Sequence, residues 1–196
     1  MIIGICGKSG SGKSTLAKKI MDKYPGVIHC DIDKIGHKAL TDEKAKKRLV
    51  DCFGKNILIN NVIDRKKLGE IVFNSENEMD KLTDITWEYM QKEIDKILDK
   101  NNNKIIILDW QLLPKSKYFN KCSLKILLDI PYLIRKDRAT KRDNINEEAF
   151  KLREKASYKY NKNHFDIVIE DSNEIQIERI VDLLWQKFYI QEVLIP

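Results

Sequence analysis

"GICGKSGSGKST", Gly4 to Thr15, decides the fold. Within it Gly7-Lys8-Ser9-Gly10-Ser11-Gly12-Lys13-Ser14 satisfies G-x-x-x-x-G-K-[ST], with Thr15 directly after. Glycines let successive backbone N–H groups turn toward phosphate oxygens, and the helix that follows adds the positive end of its dipole. Lys13 is placed to reach β- and γ-phosphates, and the Ser14 hydroxyl to coordinate Mg²⁺. The apolar run "IIGIC" before the loop reads as a strand and "STLAKKIMDKY" after it as a helix, the context this motif requires. The anion implied is a nucleoside triphosphate.

Outward from the loop, short apolar runs alternate with amphipathic stretches. "IIGIC" (2–6), "GVIHCD" (26–31), "KIIILD" (104–109), "LKILLDI" (124–130) and "FDIVIED" (165–171) read as buried strands. Between them, helices are expected over Thr15 to Tyr24, Asp33 to Phe53, Asp64 to Phe73, Glu78 to Lys100 and Asn173 to Tyr189. Another starts at Pro131, a residue favoured in a first turn. The segment "FGKNILINN" reads as a turn joining the second and third helices. This alternation predicts an α/β fold with a parallel five-stranded sheet flanked by helices, and ligands beyond the carboxyl ends of its strands.

A phosphate loop selects no reaction, so the downstream charges matter. Asp31 and Asp33 stand two apart in "HCDIDKIGH", and in extended chain both carboxylates face one way. One could accept a proton from a substrate hydroxyl while the other holds Mg²⁺ or its waters. Either could instead cap the helix that begins there, and the two roles are compatible. Asp109 ends a strand, the arrangement of a carboxylate that positions magnesium or a substrate group, although Asp129 ends the next strand similarly. In "PYLIRKDRATKRDN", Arg135, Arg138 and Arg142 fall within about 60° of one helical face. Three guanidiniums there suit a lid over a transferring phosphoryl group, the plainer reading being a surface face paired with Glu147 and Glu148. "DKIG" (33–36) and "TKRD" (140–143) resemble guanine-nucleotide motifs but sit too early and inside a helix, respectively.

With 42% hydrophobic and 34% charged residues in 196, the chain has the composition of one soluble globular unit. Its formal charge of +6 is interleaved with acids, which describes a solvated surface and predicts no nucleic-acid partner. Cys6, Cys30, Cys52 and Cys122 are widely spaced and read as reduced, mostly buried thiols. No stretch approaches the ~18 apolar residues of a membrane span, and no leader pattern opens the chain, so a cytoplasmic protein without a membrane partner is expected.

Taken together these residues resemble the dephospho-coenzyme A kinase family. The resemblance rests on "GICGKSGSGKST", on "CDIDKIGH" for D-x-D-K-I-x-H, on "CFG", on "VIDRKKLGEIVF" (62–73), on "RATKRD" (138–143) and on "FDIVIED". It implies a P-loop kinase core (1–32, 104–130 and 164–196), a helical substrate-binding excursion (about 33–103) and a lid (about 131–160). It implies phosphorylation of the ribose 3′-hydroxyl of dephospho-CoA by MgATP, with Asp33 the base, Asp31 beside it, Arg138 and Arg142 as lid arginines at ATP, and Arg65 on the substrate side. The chain departs from the pattern at a His-Pro pair, here Thr86-Trp87, and at D-x-P-L-L-x-E, here Asp109-Trp110-Gln111-Leu112-Leu113-Pro114-Lys115. Two family glutamines read Arg135 and Ser157, while Arg153 is kept. A nucleoside, nucleotide or other small alcohol as acceptor is the alternative these departures suggest, and Trp87 and Trp110 are expected to pack rather than stack on ligand.

Overall fold

Residues 1–171, with Arg179, 181–183 and Gln186, are described by the computed structural model. In chain order the elements are β1 (Ile2–Gly7), α1 (Lys13–Lys23), β2 (Ile28–Asp31), α2 (Ile32–Ala39) and α3 (Glu43–Phe53). A hairpin of β3 (Leu58–Ile59) and β4 (Val62–Ile63) follows, then α4 (Arg65–Val72) and the long α5 (Glu76–Lys100). The second half runs β5 (Ile106–Asp109), β6 (Leu124–Leu128), α6 (Tyr132–Asp143), α7 (Glu147–Lys155) and β7 (Ile167–Ile169). The helix expected over Asn173 to Tyr189 falls almost wholly outside the described residues.

β1 is central because it is apolar on both faces and therefore needs cover on both. The sheet order is β2-β5-β1-β6-β7, and every pairing in it is parallel. On one face Ile3, Ile5, Ile107, Ile126 and Ile169 pack with Leu16, Ala17 and Ile20 of α1. On the other, Cys6, Leu108 and Leu127 pack with Met90 and Ile94 of α5. The five expected strands are present, and parallel register sets Asp31 opposite Asp109 and Ile5 beside it. Both aspartates thus arrive at the carboxyl edge next to the phosphate loop.

The region between β2 and β5 builds a small core of its own from Leu49, Phe53, Ile57, Ile63, Leu68 and Val72. Here the structure corrects two expectations. The helix expected as one piece over Asp33 to Phe53 is two, because the Asp42 carboxylate accepts from Lys44 and Ala45 N–H and restarts the helix. The turn expected in "FGKNILINN" carries the hairpin, with Asn60 (φ 47°) and Asn61 (φ 62°) both left-handed, the backbone that two-residue hairpin loops demand. Pro131 caps α6 from just outside and is not in its first turn. No described helix is long and apolar enough to cross a membrane.

The two tryptophans meet. Trp87 on α5 stacks on Trp110 after β5, centroids 5.4 Å apart and planes 15° from parallel, and Tyr118 closes the cluster edge-on. The Tyr118 hydroxyl donates to Asp95 Oδ1 at 2.8 Å, tying the cluster back to α5. The stack fastens the long helix to the sheet, so Trp87→Ala is expected to destabilise the fold by about 3 kcal/mol in chemical denaturation, and Trp87→Phe by less than about 1.5 kcal/mol.

Candidate active site

The phosphate loop leaves β1 at Gly7 and enters α1 at Lys13. Gly10 lies at φ +79°, and a Cβ there would come within 2.3 Å of the Arg135 carbonyl oxygen. Only glycine lets the loop pass beneath the base of α6. Ser11 Oγ is buried with no hydrogen-bond partner among the described residues, a donor that a phosphate oxygen would satisfy.

Beside the loop the acids converge. Ser14 Oγ donates to Asp109 Oδ2 at 2.7 Å, and His29 Nε2 stands 3.2 Å from the same oxygen. Asp31 caps α2: its Oδ1 accepts from Lys34 N–H at 3.0 Å and its Oδ2 pairs with Lys34 Nζ at 3.1 Å. Asp33, one turn position on, is free of that duty. Its surface meets the open cleft, yet protein crowds it enough that desolvation raises its carboxyl to about 6. Lys13 pulls in the opposite direction, Asp109 and Asp31 push further up, and Arg142 pulls down. The exposure of Asp33 to solvent screens the shift in the free protein, and a ligand bound over it would remove that screening.

The expected arginine face divides. Arg138 stays with the phosphate loop, its Nη1 lying 3.9 Å from the position of a Cβ on Gly12. Arg142 is exposed, pairs with Asp143 at 2.7 Å, and contributes its charge at Asp33. Arg135 does not join them. It is buried, its Nε donates to the Ile130 carbonyl at 2.8 Å, and its Nη1 and Nη2 form a fork with Glu154 at 2.7 and 3.0 Å. Glu154 also accepts from Lys8 Nζ at 2.7 Å, so one carboxylate links α7, α6 and the phosphate loop. Glu147 pairs with Lys136 and Lys151 and not with the arginines. Asp143 also meets Arg153, and Arg153 lies over the Phe73 ring. Arg65 is exposed at the start of α4; its charge and, more strongly, burial lower the pKa of His37. It stands on the helical side, at the start of α4.

Sequence reasoning passed over three residues. Glu154 carries no motif. Tyr160 is found only by its backbone partners: Gly7 N–H donates to its hydroxyl at 3.1 Å, and that hydroxyl donates to the Gln111 carbonyl at 2.9 Å. His29 shares the side of β2 that Asp31 uses, a signal readable as i, i+2 spacing once Asp109 is known to be adjacent.

A protein-family model described as "Dephospho-CoA kinase" matches residues 1–177. The chain belongs to the dephospho-CoA kinase family. It is 31% identical to the dephospho-CoA kinase of Fusobacterium nucleatum, covering 90% of this chain and 92% of that one. It is 35% identical to that of Aquifex aeolicus, covering 89% and 90%. A solved dephospho-CoA kinase from Campylobacter jejuni superposes with a TM-score of 0.60 at 25% identity, covering 95% of this chain and 96% of that one. A Thermus thermophilus crystal structure shares the fold with a TM-score of 0.77 at 22% identity, covering 95% and 97%. One departure from the dephospho-CoA kinase pattern, Trp87 in the place of the His-Pro pair, packs face to face on Trp110, the residue after Asp109.

Breaking the Glu154 fork would leave the buried Arg135 guanidinium without its carboxylate. Glu154→Ala is expected to lower stability by about 3 kcal/mol or more in urea unfolding, with Glu154→Gln losing less because it can still accept from Arg135.

Proposed function

We propose that this chain transfers the γ-phosphoryl group of ATP to the ribose 3′-hydroxyl of dephospho-CoA, giving coenzyme A. The observation that carries the mechanism is Asp33, a carboxylate held in the first turn of α2, where desolvation raises it to about 6 and the charge of the phosphate-loop lysine Lys13 acts on it. A base with its pKa near working pH takes a proton effectively and does not bind it too weakly to matter.

In this reading the loop amides between Lys8 and Thr15 and the Lys13 ammonium hold the β- and γ-phosphates. Ser14 and Asp109 offer hard oxygen donors already 2.7 Å apart, which fits Mg²⁺. Bound there, the cation would neutralise charge on the phosphates. Asp33 orients the acceptor hydroxyl and accepts its proton as the new O–P bond forms and the bond to the bridging oxygen of ADP breaks. Arg138 and Arg142 balance the charge that spreads over the transferring group, and the lid excludes water that would otherwise compete as acceptor. Asp31 fixes α2, and with it Asp33, through the cap. The helical region of about 33–103, with Arg65 at its face, receives dephospho-CoA, while 131–160 serves as lid over the core of 1–32, 104–130 and 164–196. Free thiols at Cys6, Cys30, Cys52 and Cys122 support a reducing, cytoplasmic setting.

A coupled ADP-release assay tests the activity: ADP is expected with dephospho-CoA and MgATP together, and turnover of a nucleoside but not dephospho-CoA would overturn the acceptor assignment. Asp33→Asn is expected to lower kcat by about 10²- to 10⁴-fold, and wild-type kcat, which reports the ligand-bound enzyme, to rise with pH through about 6 as the carboxyl deprotonates. Stability runs in the opposite direction to activity. A carboxyl raised on folding opposes the fold once ionised, so Asp33→Asn is expected to melt higher than wild type at pH 7.5, with the gain shrinking toward pH 4.

A further inference from the structure

His29 has no part in the phosphoryl transfer just described, yet its imidazole is aimed at the cation-binding carboxylate. His29 and Asp31 alternate on β2 and so project to one side, and parallel register sets Asp31 opposite Asp109. A ligand atom from each of these three residues lies within 4.8 Å of the other two. The closest pair, His29 Nε2 and Asp109 Oδ2, is 3.2 Å apart, and Ser14 Oγ reaches that same oxygen at 2.7 Å. An octahedral ion with bonds of about 2.1 Å holds neighbouring ligand atoms about 3 Å apart, so both separations already resemble edges of such a shell. The Lys34 ammonium that pairs with Asp31 is on a largely exposed side chain and can turn to water at little cost.

Oxygen-only sets suit Mg²⁺, while an imidazole nitrogen raises affinity for first-row transition ions. We propose that His29, Asp31 and Asp109 form a mixed nitrogen and oxygen cation site that selects Mn²⁺ over Mg²⁺ before nucleotide binds. The inference deepens the reading of Ser14 and Asp109 as the cation-binding pair and does not depend on the acceptor. Were His29 only a hydrogen-bond partner of Asp109, it would orient the carboxylate without touching the ion.

The experiment uses the full chain without nucleotide. Mn²⁺ is titrated and its free signal followed by electron paramagnetic resonance, with Mg²⁺ as competitor. Wild type is expected to bind Mn²⁺ at least about 10-fold more tightly than Mg²⁺. His29→Ala and His29→Gln are each expected to weaken Mn²⁺ by about 10- to 100-fold and Mg²⁺ by less than about 3-fold. Pulsed measurements on wild type are expected to show ¹⁴N coupling to bound Mn²⁺ that changes on ¹⁵N-histidine labelling. Absence of nitrogen coupling in wild type overturns the proposal even if the variants misfold, and so does unchanged Mn²⁺ affinity in folded variants. Absent dephospho-CoA turnover with Mg²⁺, together with intact nitrogen coupling, would overturn the kinase reading alone.

Discussion

Parallel pairing of β1 with β5, and of β5 with β2, is the constraint from which the site follows. Parallel neighbours finish at the same edge of the sheet, so a loop that leaves β1 must lie beside whatever ends β5 and β2. Those endings are Asp109 and Asp31, and the loop carries Lys13 and Ser14. Apolar burial on both faces therefore places charged groups that burial alone would never gather. Asp33, in the first turn of α2, registers that neighbourhood: desolvation raises its carboxyl first, Lys13 pulls it back, and Asp109 and Asp31 push it further up.

Much of this was legible in the chain. Five apolar runs sufficed for five strands, and the glycine spacing sufficed for the phosphate loop, because both patterns are local. The break at Asp42 was hidden for the opposite reason: a capping carboxylate inside a continuous helical pattern gives little warning that the helix restarts. The hairpin over Asn60 and Asn61 was likewise hidden, since two-residue strands leave no periodicity to read.

The arginine helix marks the boundary more sharply. Angular spacing grouped Arg135, Arg138 and Arg142, and spacing is blind to what stands opposite. Glu154, nineteen positions downstream, takes Arg135 out of the group and into the protein. Tyr160 was unreadable because both of its partners are backbone groups, which every residue possesses. Trp87, which replaces part of the family's His-Pro pair, becomes ordinary beside Trp110 because each is the other's cover.

The Glu154 fork also sets the mechanics of α6. The Arg135 turn is fastened to α7 and, through Lys8, to the phosphate loop, while Asp143 at the far end of α6 pairs with Arg153 of the same α7. Seven positions separate Arg135 from Arg142, about 10 Å at 1.5 Å per residue. The two helices are therefore clamped together at both ends of that length and carry Arg138 and Arg142 as one piece.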